Sequence, residues 1–84
     1  MTEFDPSTIE IAFSVDARGS SCPGPLLEAK KGIGKVKVGE VLEIKSNDPG
    51  TKNDIPAWAK RAKHEYLGWA EAAGYDRIFV RRKK

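Results

Sequence analysis

Side chains able to do covalent chemistry are scarce in this chain, and one of them has unusual neighbours. There is a single cysteine, Cys22, and a single histidine, His64. Cys22 opens the run Cys22-Pro23-Gly24-Pro25, which leads into Leu26-Leu27-Glu28-Ala29-Lys30-Lys31. Proline is tolerated in the first turn of a helix, where the N–H groups have no intrahelical acceptor, so the run predicts a helix start with the thiol just ahead of it. Helix N-termini carry partial positive charge and stabilise an anion by roughly 0.3–1 kcal/mol at an exposed site. A thiolate is such an anion, and this setting lowers a cysteine pKa from its usual value of about 8.5. Pro23 and Pro25 stiffen the backbone beside the sulfur. Gly24 places no side chain there, so another protein's backbone or sulfur can come close. Arg18 and Lys30 are near in sequence and are candidates to add positive potential.

The same inventory narrows the chemistry. Pro25 occupies the place where a Cys-x-x-Cys centre carries its second thiol, so no resolving cysteine exists. His64 is remote in sequence, at a predicted helix end, which argues against a hydrolase-type dyad. One cysteine and one histidine cannot build a zinc site. A nucleophilic thiolate with no local base and no local substrate pocket is suited to accepting a group, carrying it and handing it on. The competing reading is a buried cysteine kept for packing, the usual fate of a free thiol.

The elements that must position Cys22 follow from periodicity. Ile9, Ile11, Phe13, Val15 and Ala17 alternate with more polar positions, which predicts a strand with one buried face. Gly19-Ser20-Ser21 ends it. Leu26, Ala29, Ile33 and Val36 then recur at helical spacing, with Gly32 and Gly34 expected to loosen the last turn by about 1 kcal/mol each relative to alanine. A second strand runs through "GEVLEIKSND", with Leu42 and Ile44 on one face. A second helix follows, with Ile55, Trp58, Ala59 and Ala62 as its apolar stripe. Pro56 suggests a late start for that helix, with Asn53 as the N-cap and Thr51 as the competitor. "EYLGWAEA" and "DRIFVRRK" predict two final strands joined by a hairpin at Ala73-Gly74-Tyr75.

The resulting order is strand, helix, strand, helix, strand, strand. A right-handed crossover makes the first two strands parallel. Alternation in the first strand implies that only one sheet face is covered. The predicted fold class is therefore an α/β two-layer sandwich, βαβαββ, with two helices on one face of a four-stranded mixed sheet. The 84 residues predict a single domain over 1–84, with residues 1–8 as a loose leader. A chain this short has a thin core, so chemistry belongs at its surface and borrows a partner. Fifteen lysines and arginines against twelve acids give a net charge of +3, with a basic cluster at Arg81-Arg82-Lys83-Lys84. No run approaches the ~20 apolar residues of a membrane span, and the acidic, polar opening residues carry no signal-peptide pattern. The expected compartment is the reducing cytoplasm, where a lone thiol stays free.

Two separated motifs give these residues a family likeness. Cys22-Pro23-Gly24-Pro25 matches a Cys-Pro-x-Pro signature at the first helix. Asp48-Pro49-Gly50, followed by Asp54-Ile55-Pro56 and Trp58, matches a second. From about Asp16 to beyond Gly68 the chain resembles the TusA/SirA/YedF family of small sulfur-carrier proteins. The resemblance implies a fold like that of the C-terminal domain of translation initiation factor three. It also implies that Cys22 takes up sulfane sulfur as a persulfide and passes it on, with no cofactor. The implied partners are a sulfur donor, such as a cysteine desulfurase or a rhodanese-like protein, and a sulfur-acceptor protein. A membrane partner is not expected, nucleic acid is disfavoured, and a monomer is expected. Relatives serve tRNA thiolation, molybdenum-cofactor supply and sulfur-compound oxidation. This chain departs from the pattern at Ala59, where some relatives carry a second cysteine, at Gly32 and Gly34, and at Lys63, where relatives have glycine before the histidine.

The remaining candidates have plainer readings. His64 is expected to end the second helix, its partly charged imidazole suiting the helix dipole. Trp58 reads as core, Trp69 as core or contact. Asp48 and Asp54 read as turn and cap residues. The basic cluster reads as a solvated end, with docking to an acidic partner as the functional alternative. A nucleic-acid-binding or regulatory module is the rival function. It is weakened by the few aromatics, Tyr66, Trp69 and Tyr75, available for stacking. A peroxide-reducing thiol lacks both a resolving cysteine and a nearby base.

Overall fold

The computed structural model describes residues 9–19 and 24–84. Within them the elements are β1 (Ile11–Asp16), α1 (Gly24–Ile33), β2 (Val41–Ser46), α2 (Thr51–Ala62), β3 (Glu65–Ala72) and β4 (Tyr75–Arg81). The strands form one sheet in the order β1-β2-β4-β3. β1 and β2 are parallel, as the crossover requires, and β4 is antiparallel to both of its neighbours. Both helices contribute to one core with Val15, Leu42, Ile44, Ile78 and Val80 from the strands and Ala29, Ile55 and Ala59 from the helices. This is the predicted two-layer α/β arrangement.

Several details differ from the expectations. Phe13 stays 39% exposed although it shares the apolar side of β1, because β1 is the sheet edge and an open pocket bordered by Glu28, Lys31 and Gly32 of α1 lies beside it. The second sheet face is less open than the alternation implied. Val41, Glu43 and Phe79 on it are buried, since β2 and β4 are the central strands and have neighbours on both sides. Glu43 is satisfied there by the Ser14 hydroxyl at 2.6 Å and by the Arg77 guanidinium.

α1 runs through Gly32 to Ile33, so the first glycine is inside the helix and does not end it. A side chain at Gly32 would place its Cβ 2.7 Å from Val15 Cγ1 and 2.9 Å from Leu42 Cδ1. The glycine therefore lets the helix lie close against β1 and β2. Val36 is buried but follows the helix. Trp58 is half-buried and packs against the core from outside it.

α2 begins at Thr51, with Gly50 as its N-cap, so neither Asn53 nor Thr51 caps it. The reason lies in the preceding turn. Asp48 Oδ1 accepts the Gly50 N–H, and the Asp48 carbonyl accepts the Thr51 N–H at 3.1 Å. These bonds set the first helical turn before Pro56 is reached. The Thr51 hydroxyl is buried against the Ser46 hydroxyl at 2.8 Å.

At the other end of α2, Lys63 adopts a left-handed conformation with φ 65°, and the His64 N–H closes onto the Ala59 carbonyl at 2.8 Å. Glycine is the relaxed residue at such a helix end. Lys63→Gly should therefore stabilise the fold by about 1 kcal/mol, seen as a raised urea midpoint at unchanged slope.

His64 serves the fold differently from the expected charged imidazole. Its Nδ1 accepts the Lys83 N–H at 3.2 Å, and its ring meets Trp58 at a centroid separation of 5.7 Å. Burial, and then the nearby Arg82 charge, lower its pKa from the ordinary 6.5, so folding disfavours the charged imidazole. Below pH 6.5 the unfolded chain binds a proton that the folded chain resists. The stabilisation is present above that pH and declines as pH falls through and below it. Unfolding midpoints for wild type and His64→Gln between pH 8 and pH 5 should show this loss in wild type only.

Candidate functional site

Cys22 and Pro23 lie outside the described residues, and the segments on either side of them define the site. α1 begins at Gly24, two residues after Cys22 in the chain. Pro25 is the second residue of the helix and is buried, where its missing N–H costs no helical bond. The first turn of α1 contains no acidic residue, so no side chain of that turn offsets the positive end of the helix dipole. Because β1 and β2 are parallel and each is followed by a helix, α1 and α2 both start at the same end of the sheet.

The chain before the cysteine is held at this end by three neighbours. The Asp16 carboxylate takes the Arg18 guanidinium through two bonds of 2.8 Å. That guanidinium also lies over the Tyr75 ring, 4.7 Å from its centroid. The Gly19 N–H donates to Asn47 Oδ1 at 3.1 Å, which ties the exit of β1 to the exit of β2. Gly19 needs its lack of a side chain here, with φ +87°. Hydrogen bonds from Arg18 are the main reason the Asp16 carboxyl stays well below the usual carboxylate range, with the Arg18 and Lys45 charges adding to them.

The structure thus gives Arg18 a partner of its own: its charge is balanced by Asp16 and sits against Tyr75. Lys30 is in the last turn of α1, away from the end where the helix starts. It faces a groove of about 120 Å³ between the helices, shared with Leu26, Asp54, Ala57, Trp58 and Arg61. Sequence reasoning misses Asn47 and reads Tyr75 as a hairpin-turn residue and a stacking aromatic, whereas it opens β4. Asn47 was nonetheless detectable: parallel pairing puts the residue after β2 beside the residue after β1. Tyr66 packs against the core, Tyr75 lies under Arg18, and Trp69 lies under Lys52 Nζ at 4.0 Å. The aromatics are each engaged separately and form no stacking platform.

A two-layer α/β fold whose first helix starts two residues after a lone cysteine defines a class of small thiol-bearing α/β proteins, and comparison with known proteins identifies the family. Residues 13–82 match the family model described as Sulfurtransferase TusA. A protein of Archaeoglobus fulgidus, provisionally named a sulfur carrier protein, is 49% identical over 70 residues, covering 83% of this chain and 96% of its own. The sulfur carrier protein TusA of Pseudomonas entomophila is 36% identical over 70 residues, covering 83% of this chain and 88% of its own. The crystal structure of a SirA-like protein from Desulfitobacterium hafniense superposes with a TM-score of 0.73 at 18% identity, over 86% of this chain and 99% of that one. The chain belongs to the TusA family.

Proposed function

We propose that this protein is a sulfur carrier in which Cys22 accepts sulfane sulfur as a persulfide and relays it to an acceptor protein. Family membership supports the carrier role. The observation that carries the assignment to Cys22 is that α1 starts two residues after the only cysteine, with no acid in its first turn.

The chemistry is a redox-neutral exchange. The Cys22 thiolate attacks the outer sulfur of a donor's persulfide, and a new S–S bond forms on Cys22. The donor's S–S bond breaks, its electron pair leaves on the donor thiolate, and the terminal sulfur keeps its proton. Delivery to the acceptor repeats the exchange with Cys22 as the leaving thiolate, and a low thiol pKa favours that departure. No second cysteine exists to expel the sulfur as an internal disulfide, so the loaded form persists until an acceptor or reductant arrives. Donors of the cysteine desulfurase or rhodanese type fit this exchange, and so does a reducing compartment such as the cytoplasm. Among the described residues no helix is long and apolar enough to cross a membrane.

Incubation of wild type with a persulfide donor, followed by intact-mass measurement, tests the proposal. An adduct of one sulfur atom that disappears on reduction is expected. Folded wild type that never loads from any donor overturns it.

A further inference from the structure

The charges of this fold are sorted by end. Where β1 and β2 finish, and along the second sheet face, most cations are paired, Arg18 with Asp16, Lys52 with Asp76 and Arg77 with Glu43, and Lys45 is the exception among the described residues. At the opposite end, where both helices finish, Lys35, Lys37, Lys60, Lys63, Lys83 and Lys84 are all exposed. None of these lysines forms an ion pair among the described residues. Of the acids at this end, Glu65 is paired with Arg81, Glu40 accepts the Lys37 N–H, and Glu10 stands beside Glu40 and Arg81, so the lysines outnumber the acids two to one.

Helix electrostatics accounts for part of this, because a cation near a helix C-terminus is favourable. That suits Lys60. It does not account for Lys35, Lys37, Lys83 and Lys84, which lie outside both helices. Nor does it explain Lys63, whose left-handed backbone is relaxed for glycine and strained for lysine. The tail lysines are also held in place. Arg82 Nη1 donates to the carbonyls of Ile33 and Val36, its Nε donates to the Lys84 carbonyl, and the Lys83 N–H donates to His64. Between Lys37 and Gly39 stands Val38, 63% exposed.

We propose that this end is a docking surface for a partner protein whose acidic face surrounds an apolar contact. The lysines form a cationic rim and Val38 supplies the apolar point. A nucleic acid would meet the lysines, but its phosphates offer nothing to cover Val38. Arg81 and Arg82, whose forked donors suit phosphate, are taken by internal partners. The surface is a holding site. α1 starts beside Cys22 in sequence and ends here ten residues later, a rise of about 15 Å, so a partner bound at this end leaves the thiol end accessible. Docking here is independent of the chemistry of Cys22.

The test is an amide chemical-shift titration of the intact chain with four probes at matched salt. These are a glutamate peptide with one central leucine, an all-glutamate peptide of equal length, a short RNA duplex, and phosphatidylglycerol vesicles. The leucine-containing peptide should bind several-fold more tightly than the all-glutamate peptide and weaken with salt. It should shift amides around Lys35–Glu40 and Lys60–His64. Val38→Ser should erase the leucine preference. Lys63→Gly should weaken peptide binding several-fold while raising the unfolding temperature, a combination that a purely structural role would not give. Tighter binding of duplex or vesicles overturns the proposal in favour of those partners. Shifts confined elsewhere, no binding, or undiminished binding by Lys63→Gly also overturn it.

Discussion

Cys22→Ser is expected to abolish sulfur loading outright. Serine keeps the size and removes the nucleophile, and no second thiol can substitute. Alcohols do not ionise near neutral pH, so neither attack on a persulfide nor release of the carried sulfur remains available. Intact mass after exposure to a donor should show one added sulfur atom on wild type and none on the variant. Thermal unfolding of the variant should match wild type, because the described core draws on both helices and all the strands without Cys22. Loading of the variant would move the chemistry to another residue and end the assignment. A large loss of stability would instead favour the packing role for the thiol.

The second large effect is expected at Gly32. Alanine there should improve the helix by about 1 kcal/mol on intrinsic preference alone. The structure predicts the opposite sign. The new methyl would sit 2.7 Å from Val15 and 2.9 Å from Leu42, both buried core side chains. Overpacking of this kind costs about 1–3 kcal/mol. With approaches this close the cost falls toward the upper part of that range, and the net loss should reach about 2 kcal/mol at most, read as a lowered urea midpoint at constant slope. Gly34→Ala is the control, because its Cβ would meet only the Lys31 carbonyl at an ordinary 3.5 Å. It should be neutral or mildly stabilising. Equal behaviour of the two variants would mean that α1 does not depend on close approach at Gly32.

These two positions mark what is legible in the sequence. The element order follows from periods of two and of three to four, and parallel pairing follows from the handedness of the crossover. Cys-Pro-Gly-Pro announces the helix start, because proline carries a local signal. Gly32 reads as a weakness from sequence, since propensity is local and the contact that makes the glycine useful comes from Val15 and Leu42, distant along the chain. Arg18 reads as a charge available to the thiol. Its balance by Asp16 and its seat on Tyr75 depend on strand exits that only the assembled sheet brings together. His64 reads as charged because it ends a helix. Burial and the charge of Arg82 from the far end of the chain disfavour its charged form, and its Nδ1 accepts the Lys83 N–H. The start of α2 is misplaced by a proline rule that the Asp48 turn overrides.

The strand order has a consequence for how the chain acquires its shape. β4 is the last strand to be synthesised, yet it lies in the interior of the sheet between β2 and β3. Until Tyr75–Arg81 has emerged, β3 has no partner in the sheet, and β1 and β2 form a parallel pair with one side of β2 uncovered. Parallel and long-range pairings must close large loops before they are rewarded, so the folding rate should be set by docking of the β3–β4 hairpin onto β2. A nascent chain halted ahead of Tyr75 would expose the apolar edge of β2 to aggregation. A ribosome-bound protein of this design is therefore committed to fold late and nearly all at once.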